Sequence, residues 1–283
     1  MSNEGLPTLN VPRLLRKYGL RPNKSLGQNF LVDDSALRRV VNSAELEAGE
    51  AVLEIGAGLG NLTRYLATAA QKVIAVEIDK KMLPPLRETL TSFDNVTIIN
   101  ADILSLDPKH LFPDSRYLVV ANIPYYITSP IIRHLIEAES KPQRIILTMQ
   151  QEVAMRICAE PGDLSLTALG VQIYGSPKIA AHIPAGAFYP TPKVDSAVVR
   201  IDLFPSPLIS PALLPTFFLL AKAGFSQKRK TLRNSLSAGM RWPKEITEEI
   251  LNAANIDTRR RAQALSLEEW ETLAQIASRG QKQ

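Results

Sequence analysis

Between residues 51 and 203 the chain alternates short β-branched and aliphatic runs with stretches whose apolar positions recur every three to four residues. Runs at 52–55, 72–78, 96–100, 117–121, 144–148 and 196–203 predict strands, and the stretches at 61–68, 80–90, 129–137, 150–158 and 164–174 predict helices between them. This alternation predicts a parallel sheet wrapped by helices, an α/β fold of the doubly wound, Rossmann-like kind. Upstream, Asp33 or Asp34 can cap a helix over 35–44 beside the first strand. After 203 the pattern changes. An uncharged stretch at 203–221 approaches the length of a membrane span, but Pro205, Pro207, Pro211 and Pro215 interrupt it, so it reads as an extended linker into a buried helix at 216–220. Only helical periods follow, and Ser266 with Glu269 is spaced as a capping box ahead of a last amphipathic helix. The expected division is a Rossmann-like domain at 1–205, carrying an N-terminal basic arm, and a small all-helical domain at 206–283 whose last residues, 278–283, fray.

Composition narrows the chemistry. A chain of 283 residues, 45% of them hydrophobic, can bury a full core. A single cysteine, Cys158, excludes an internal disulfide framework, and His110, His134 and His182 are scattered without ligand-like spacing. Zinc chemistry and histidine acid/base catalysis therefore find no support, and no metal is expected. The first residues lack the charged-then-apolar layout of a signal peptide, so a reducing, cytoplasmic setting without a membrane is expected.

The net charge of +5 is unevenly placed. Lys222, Lys228, Arg229, Lys230, Arg233, Arg241 and Lys244 fall in a segment, 203–244, that contains no acidic residue. Near the N-terminus Arg13, Arg16, Lys17, Arg21 and Lys24 are opposed before Asp33 only by Glu4. Such runs are often just solvated faces. Two of them flanking one α/β core favour a polyanionic partner, because cations that neutralise phosphates release counterions.

Candidate chemistry gathers at the carboxyl ends of the expected strands. The first strand runs into Gly56-Ala57-Gly58-Leu59-Gly60 and then Asn61-Leu62-Thr63, the strand, glycine turn and helix start of a nucleotide site. A dinucleotide fingerprint would want its third glycine at 61, where Asn61 stands, which disfavours NAD. Glu77 ends the second strand about 20 residues beyond the glycines, where an acid commonly takes ribose hydroxyls, and Asp102 follows the third. Two acids suit a cationic nucleoside better than a phosphate-bearing one. S-adenosylmethionine fits, with ribose hydroxyls for Glu77, an adenine amine for Asp102 and a sulfonium that tolerates acidic surroundings. After the fourth strand comes Asn122-Ile123-Pro124-Tyr125. Its amide oxygen and the Ile123 carbonyl can accept hydrogen bonds from a planar amine, Pro124 stiffens the turn and Tyr125 offers a stacking face.

These segments resemble the adenine dimethyltransferases that modify small-subunit ribosomal RNA, and the resemblance extends over almost the whole chain. It is carried by Ser25-Leu26-Gly27-Gln28-Asn29-Phe30-Leu31, by Glu54-Ile55 with the glycine loop, and by Asn122-Ile123-Pro124-Tyr125. A late loop, Phe188-Tyr189-Pro190-Thr191-Pro192-Lys193-Val194-Asp195-Ser196, and a basic segment, Gly224-Phe225-Ser226-Gln227-Lys228-Arg229-Lys230-Thr231-Leu232-Arg233-Asn234, extend it. The resemblance implies a class I methyltransferase domain in which Asn29, Leu31, Gly56, Gly58, Glu77, Asp102 and Asn122 line an S-adenosylmethionine pocket. It implies that Tyr125 and Phe188 sandwich the target adenine and that Lys222, Lys228, Arg229, Lys230 and Arg233 meet RNA. The implied reaction dimethylates the exocyclic N6 amines of two adjacent adenosines in a hairpin near the 3′ end of 16S rRNA, on a small-ribosomal-subunit partner, by a monomeric enzyme. The competing readings are a large-subunit rRNA adenine methyltransferase of the macrolide-resistance type, which shares the pocket and differs mainly in its C-terminal domain, and a non-catalytic assembly factor on the same fold. A DNA adenine methyltransferase shares the catalytic turn but would need a sequence-reading domain, and none is visible.

Overall fold

The computed structural model describes residues 6–23, 26–113, 116–123 and 127–280. The chain forms two compact units, one of residues 1–154 and 176–203, the other of residues 155–175 and 204–283. The 155–175 segment, which the sequence reading assigns to the first domain, thus groups with the C-terminal helices.

In the first unit a short helix, α1 (Val11–Lys17), precedes the two-residue strand β1 (Phe30–Leu31) and helix α2 (Asp34–Ala44), where the Asp33 carboxylate accepts the Ala36 N–H at 2.7 Å as the N-cap. The order continues β2 (Ala51–Ile55), α3 (Asn61–Ala69), β3 (Lys72–Glu77), α4 (Leu83–Leu90), β4 (Val96–Asn100), α5 (Pro108–Leu111), β5 (Tyr117–Asn122), α6 (Thr128–Glu137), β6 (Arg144–Gln150) and α7 (Gln151–Ile157). After α8 (Leu166–Gln172), which belongs to the second unit, come β7 (Gly175–Ile183), β8 (Phe188–Tyr189) and β9 (Ser196–Leu203). Seven strands form one sheet in the order β4-β3-β2-β5-β6-β9-β7. The pairs from β4 through β6 are parallel and β9 runs antiparallel to β6.

The centre of the sheet is apolar because it is covered on both faces: Val52, Leu53, Leu118, Val119 and Val120 are wholly buried. Each such side chain contributes about 1.5–3 kcal/mol relative to its exposed state. From the β2–β5 pair the chain winds outward through β3 and β4 on one side and through β6 on the other. The carboxyl ends of β2 and β5 therefore flank a topological switch point, where the connecting loops diverge and leave a crevice. Strand β7 is the one long strand missing from the sequence expectation. It is an edge strand containing Pro177 and alternating in burial, a weaker signal than the all-apolar interior runs.

In the second unit, helices α9 (Leu214–Phe225), α10 (Leu232–Met240), α11 (Lys244–Ala253) and α12 (Leu267–Gly280) pack together. Pro215 does not break α9; it occupies the first turn, where its missing N–H would be unsatisfied anyway. Small residues bring the helices close. A β-carbon built on Gly224 would stand 2.7 Å from the ring of wholly buried Trp270, and one on Gly239 would stand 2.6 Å from that of Ala223. The capping box forms, with the Ser266 N–H donating to Glu269 at 2.8 Å and the Glu269 N–H to the Ser266 hydroxyl at 3.2 Å. Among the described residues no helix is long and apolar enough to cross a membrane.

Candidate active site

Parallel register sets four strand ends side by side. Ile55 pairs with Val76 and Ala121, and Glu77 pairs with Asn100, so the residues next along the chain project into one cleft. Asn29, Leu31, Gly56, Gly58, Glu77, Asp102, Asn122 and Ile123 all line it. Pro124 and Tyr125 lie outside the described residues.

The glycine turn is built around Glu77. Gly56 (φ +78°) turns the chain back so that its N–H reaches the Val76 carbonyl at 2.8 Å. Gly58 (φ +58°) aims its N–H at the Glu77 carboxylate, 2.7 Å away, in a backbone conformation costly for any residue with a β-carbon. The other carboxylate oxygen accepts the Asp79 N–H at 2.8 Å. Burial pushes the Glu77 carboxyl above its ordinary range, while these backbone donors pull it back. The result is an acceptor in the cleft lining that is fixed at both oxygens by backbone donors. Asp102, exposed at the rim, spends one oxygen on the Leu104 N–H at 3.0 Å, capping a 3-10 turn.

Asn122 is oriented by a segment remote in sequence. Its side-chain NH2 donates to the backbone carbonyl of Asn29 at 3.0 Å, and the Asn29 side-chain NH2 donates in turn to the Gly27 carbonyl at 3.1 Å. The amide orientation follows from this donor, so the Asn122 oxygen is left as an acceptor at the end of β5. Phe188 is placed differently from the sequence expectation. Strand β8 pairs antiparallel with β1, setting Phe188 opposite Leu31, and its ring is buried in the core cluster with α2 and α3 residues, outside the cleft lining. Tyr189, next along, is 37% exposed.

The cleft holds residues to which the motif reading gave no role. Glu54 lines it while 2% exposed, and its Oε2 has no hydrogen-bond partner among the described residues; the same is true of the Asn61 Oδ1. Burial raises the Glu54 carboxyl to about 8, with nearby Thr63 lowering it and the charge of Glu77 raising it. An acid within the otherwise apolar run Val52-Leu53-Glu54-Ile55 is the sequence signal that could have found it. Ile78, 52% exposed and also in the lining, is an apolar surface at the mouth. The cleft is thus rich in oxygen acceptors and poor in cationic donors.

In the second unit Lys222, Lys228, Arg229 and Lys230 are exposed, with no acidic partner among the described residues. Arg233 differs: it pairs with Glu248 of α11, which leaves it half-buried.

Residues 19–273 match the family described as ribosomal RNA adenine dimethylase. Proteins named ribosomal RNA small subunit methyltransferase A are similar along nearly their whole length. That of Dehalococcoides mccartyi is 40% identical over 275 residues, 96% of this chain and 94% of its own. That of Alkaliphilus oremlandii is 41% identical over 268 residues, 92% of this chain and 93% of its own. Among solved structures, the 23S rRNA methyltransferase ErmE superposes with a TM-score of 0.70 at 29% identity, covering 88% of this chain and 99% of its own. A dimethyladenosine transferase from Plasmodium falciparum shares the fold, with a TM-score of 0.74 at 24% identity over 88% of this chain and 97% of its own. This chain belongs to the ribosomal RNA adenine dimethylase family.

Proposed function

We propose that this protein uses S-adenosylmethionine to dimethylate the N6 amines of adenosines in small-subunit ribosomal RNA, acting on the small subunit as a monomer in the cytoplasm. The carrying observation is the committed Asn122 amide: its NH2 is held by the Asn29 carbonyl, so its oxygen accepts from an incoming amine at the ends of β2 and β5.

The cleft suits the cofactor chemically. Its acceptors, Glu77, Asp102, Glu54 and Asn61, favour a ligand that is cationic and carries hydroxyl and amine donors, and they disfavour a pyrophosphate. In this reading Glu77 takes the ribose hydroxyls, Asp102 the adenine amine, and Gly56, Gly58, Asn29 and Leu31 shape the remaining walls. S-adenosylmethionine supplies an electrophilic methyl group on a positively charged sulfur.

The chain's own residues position the amine. In the first transfer, hydrogen bonds from the two exocyclic N–H groups to the Asn122 oxygen and the Ile123 carbonyl draw the nitrogen out of conjugation with the ring and hold its lone pair for in-line attack; in the second, the one N–H left keeps one of these bonds, and after each transfer the nitrogen loses a proton to solvent. Pro124 and Tyr125 keep in this reading the roles that the sequence assigns them, with the Tyr125 ring as the stacking partner of the base. Phe188, read from the resemblance as the second face of the sandwich, is buried opposite Leu31, so its ring meets the base only if the β1–β8 pair rearranges. Base stacking of this kind is worth about 1–3 kcal/mol, a useful fraction of the cost of extruding a base from its RNA stack. Lys222, Lys228, Arg229, Lys230 and, if released from Glu248, Arg233 meet RNA phosphates.

The test is incubation with unmethylated small subunits and labelled S-adenosylmethionine, followed by mapping of the modified nucleotides. Dimethyladenosine in small-subunit RNA supports the reading. Label confined to large-subunit RNA would support the second reading, methyl transfer to 23S rRNA, which the likeness to the 23S rRNA methyltransferase ErmE keeps in play.

A further inference from the structure

A second concavity, of about 310 Å³, lies in the first unit and is lined by Gly19, Leu20, Arg21, Asn23, Asp79, Lys81 and Met82. Its walls are held firmly. Met82 packs in one apolar cluster with Val11, Leu14 and Leu15 of α1 and with Phe30 and Leu59. Lys17, at the end of α1, donates to Glu88 of α4 at 2.6 Å. Gln28 ties two of the lining residues together: its side-chain oxygen accepts the Asn23 N–H at 2.8 Å and its side-chain NH2 donates to Asp79 at 3.1 Å.

The charge of the concavity is lopsided. Asp79, its one acid, has one oxygen on Gln28 and the other on the Lys81 backbone N–H at 3.0 Å. Arg21 and Lys81 are exposed and have no acidic partner among the described residues, and neither do exposed Arg13, Arg16 and Lys80 on the same segments. Two exposed cations against one carboxylate leave the hollow net positive, which favours an anion. Position selects which one. Gln28 lines the cofactor cleft and hydrogen-bonds Asp79 of the hollow, and Asp79 stands two residues beyond Glu77 of the cleft, so the hollow adjoins the cleft.

We propose that this hollow seats a backbone phosphate of the RNA beside the target nucleotide, with Arg21 and Lys81 as its cationic contacts. It rests on the reading that the substrate is RNA and adds a contact on the catalytic unit to the basic segment of the helical one. A phosphate fixed here sets the register in which the extruded base meets Asn122, as phosphate contacts position rather than specify.

The test uses the full chain carrying Arg21→Gln with Lys81→Gln, beside a control carrying Lys72→Gln with Arg116→Gln, which removes the same charge at the opposite ends of β3 and β5. Affinity for small-subunit RNA is measured against salt concentration, and cofactor affinity by calorimetry. The expected result is about tenfold weaker RNA binding and a salt slope shallower by about 1.5, near the 0.7–0.9 per cation of phosphate contacts, with cofactor affinity and Tm unchanged and the control close to wild type. An unchanged slope, or an equal loss in the control, overturns the proposal. So does calorimetric binding of inorganic phosphate that the double substitution abolishes while RNA affinity stays intact, which would make the hollow a free-anion site. Because this readout is binding, it stands apart from the functional reading, which fails only if wild-type protein transfers no methyl group to small-subunit RNA.

Discussion

Asn122 presents an amide whose two ends are committed differently: the nitrogen is held by the Asn29 carbonyl and the oxygen is available in the cleft. Asn122→Ala removes that acceptor and should lower kcat about 10²-fold, as loss of one preorganised polar contact does elsewhere, with mass spectrometry of the RNA showing dimethyladenosine depleted. Undiminished product would remove Asn122 from the chemistry. Glu54 makes a different prediction. Its carboxyl sits at about 8 in the folded protein against an ordinary 4.5, so between these values the folded state holds a proton that the unfolded state has released. Stability should therefore fall as pH rises from about 4.5 to 8, by at most about 5 kcal/mol at 1.36 kcal/mol per pH unit. Denaturant unfolding between pH 5 and 8.5 should show this decline in the cofactor-free wild type and a flatter profile for Glu54→Gln; parallel profiles would deny Glu54 the raised value.

Glycines separate cofactor binding from packing at the scale of elements. Gly58 joins β2 to α3 at φ +58°, and a β-carbon there would stand 3.0 Å from the Phe30 ring. Gly58→Ala should cost about 1–2 kcal/mol in stability and weaken cofactor binding as well, because the N–H that anchors Glu77 must shift. Gly224 belongs to the basic segment that resembles the family pattern, yet it faces Trp270 rather than RNA. Gly224→Ala should cost about 1–3 kcal/mol by overpacking α9 against α12 and leave cofactor affinity unchanged, with calorimetry separating it from the Gly58 variant. The strand ends bearing Glu77 and Asn122 were legible because buried parallel strands write long apolar runs, and the one before Asp102 because the β-branched run Val96-Thr97-Ile98-Ile99 marks β4. Strand β7 was not, since its residues alternate in burial and it carries Pro177.

Charge acts over the whole molecule. Replacing Lys228, Arg229 and Lys230 with Ala should weaken RNA binding and make its salt slope shallower by about two to three, without changing the Tm or cofactor affinity. An unchanged slope would remove this segment from the RNA contacts. The sequence by itself determined the α/β order, the glycine turn, the acids at successive strand ends, the capping box and the two basic segments, because each is written in local periodicity or short-range spacing. Only the tertiary structure decided the rest. It grouped 155–175 with the C-terminal helices, turned Phe188 into the core against Leu31, paired Arg233 with Glu248, and buried Glu54 with one oxygen that has no partner among the described residues. Above all it brought the Asn29 carbonyl to the Asn122 amide, a bond between residues 93 apart. Which end of an amide faces a ligand depends on the segment that claims the other end, and no local pattern records that meeting.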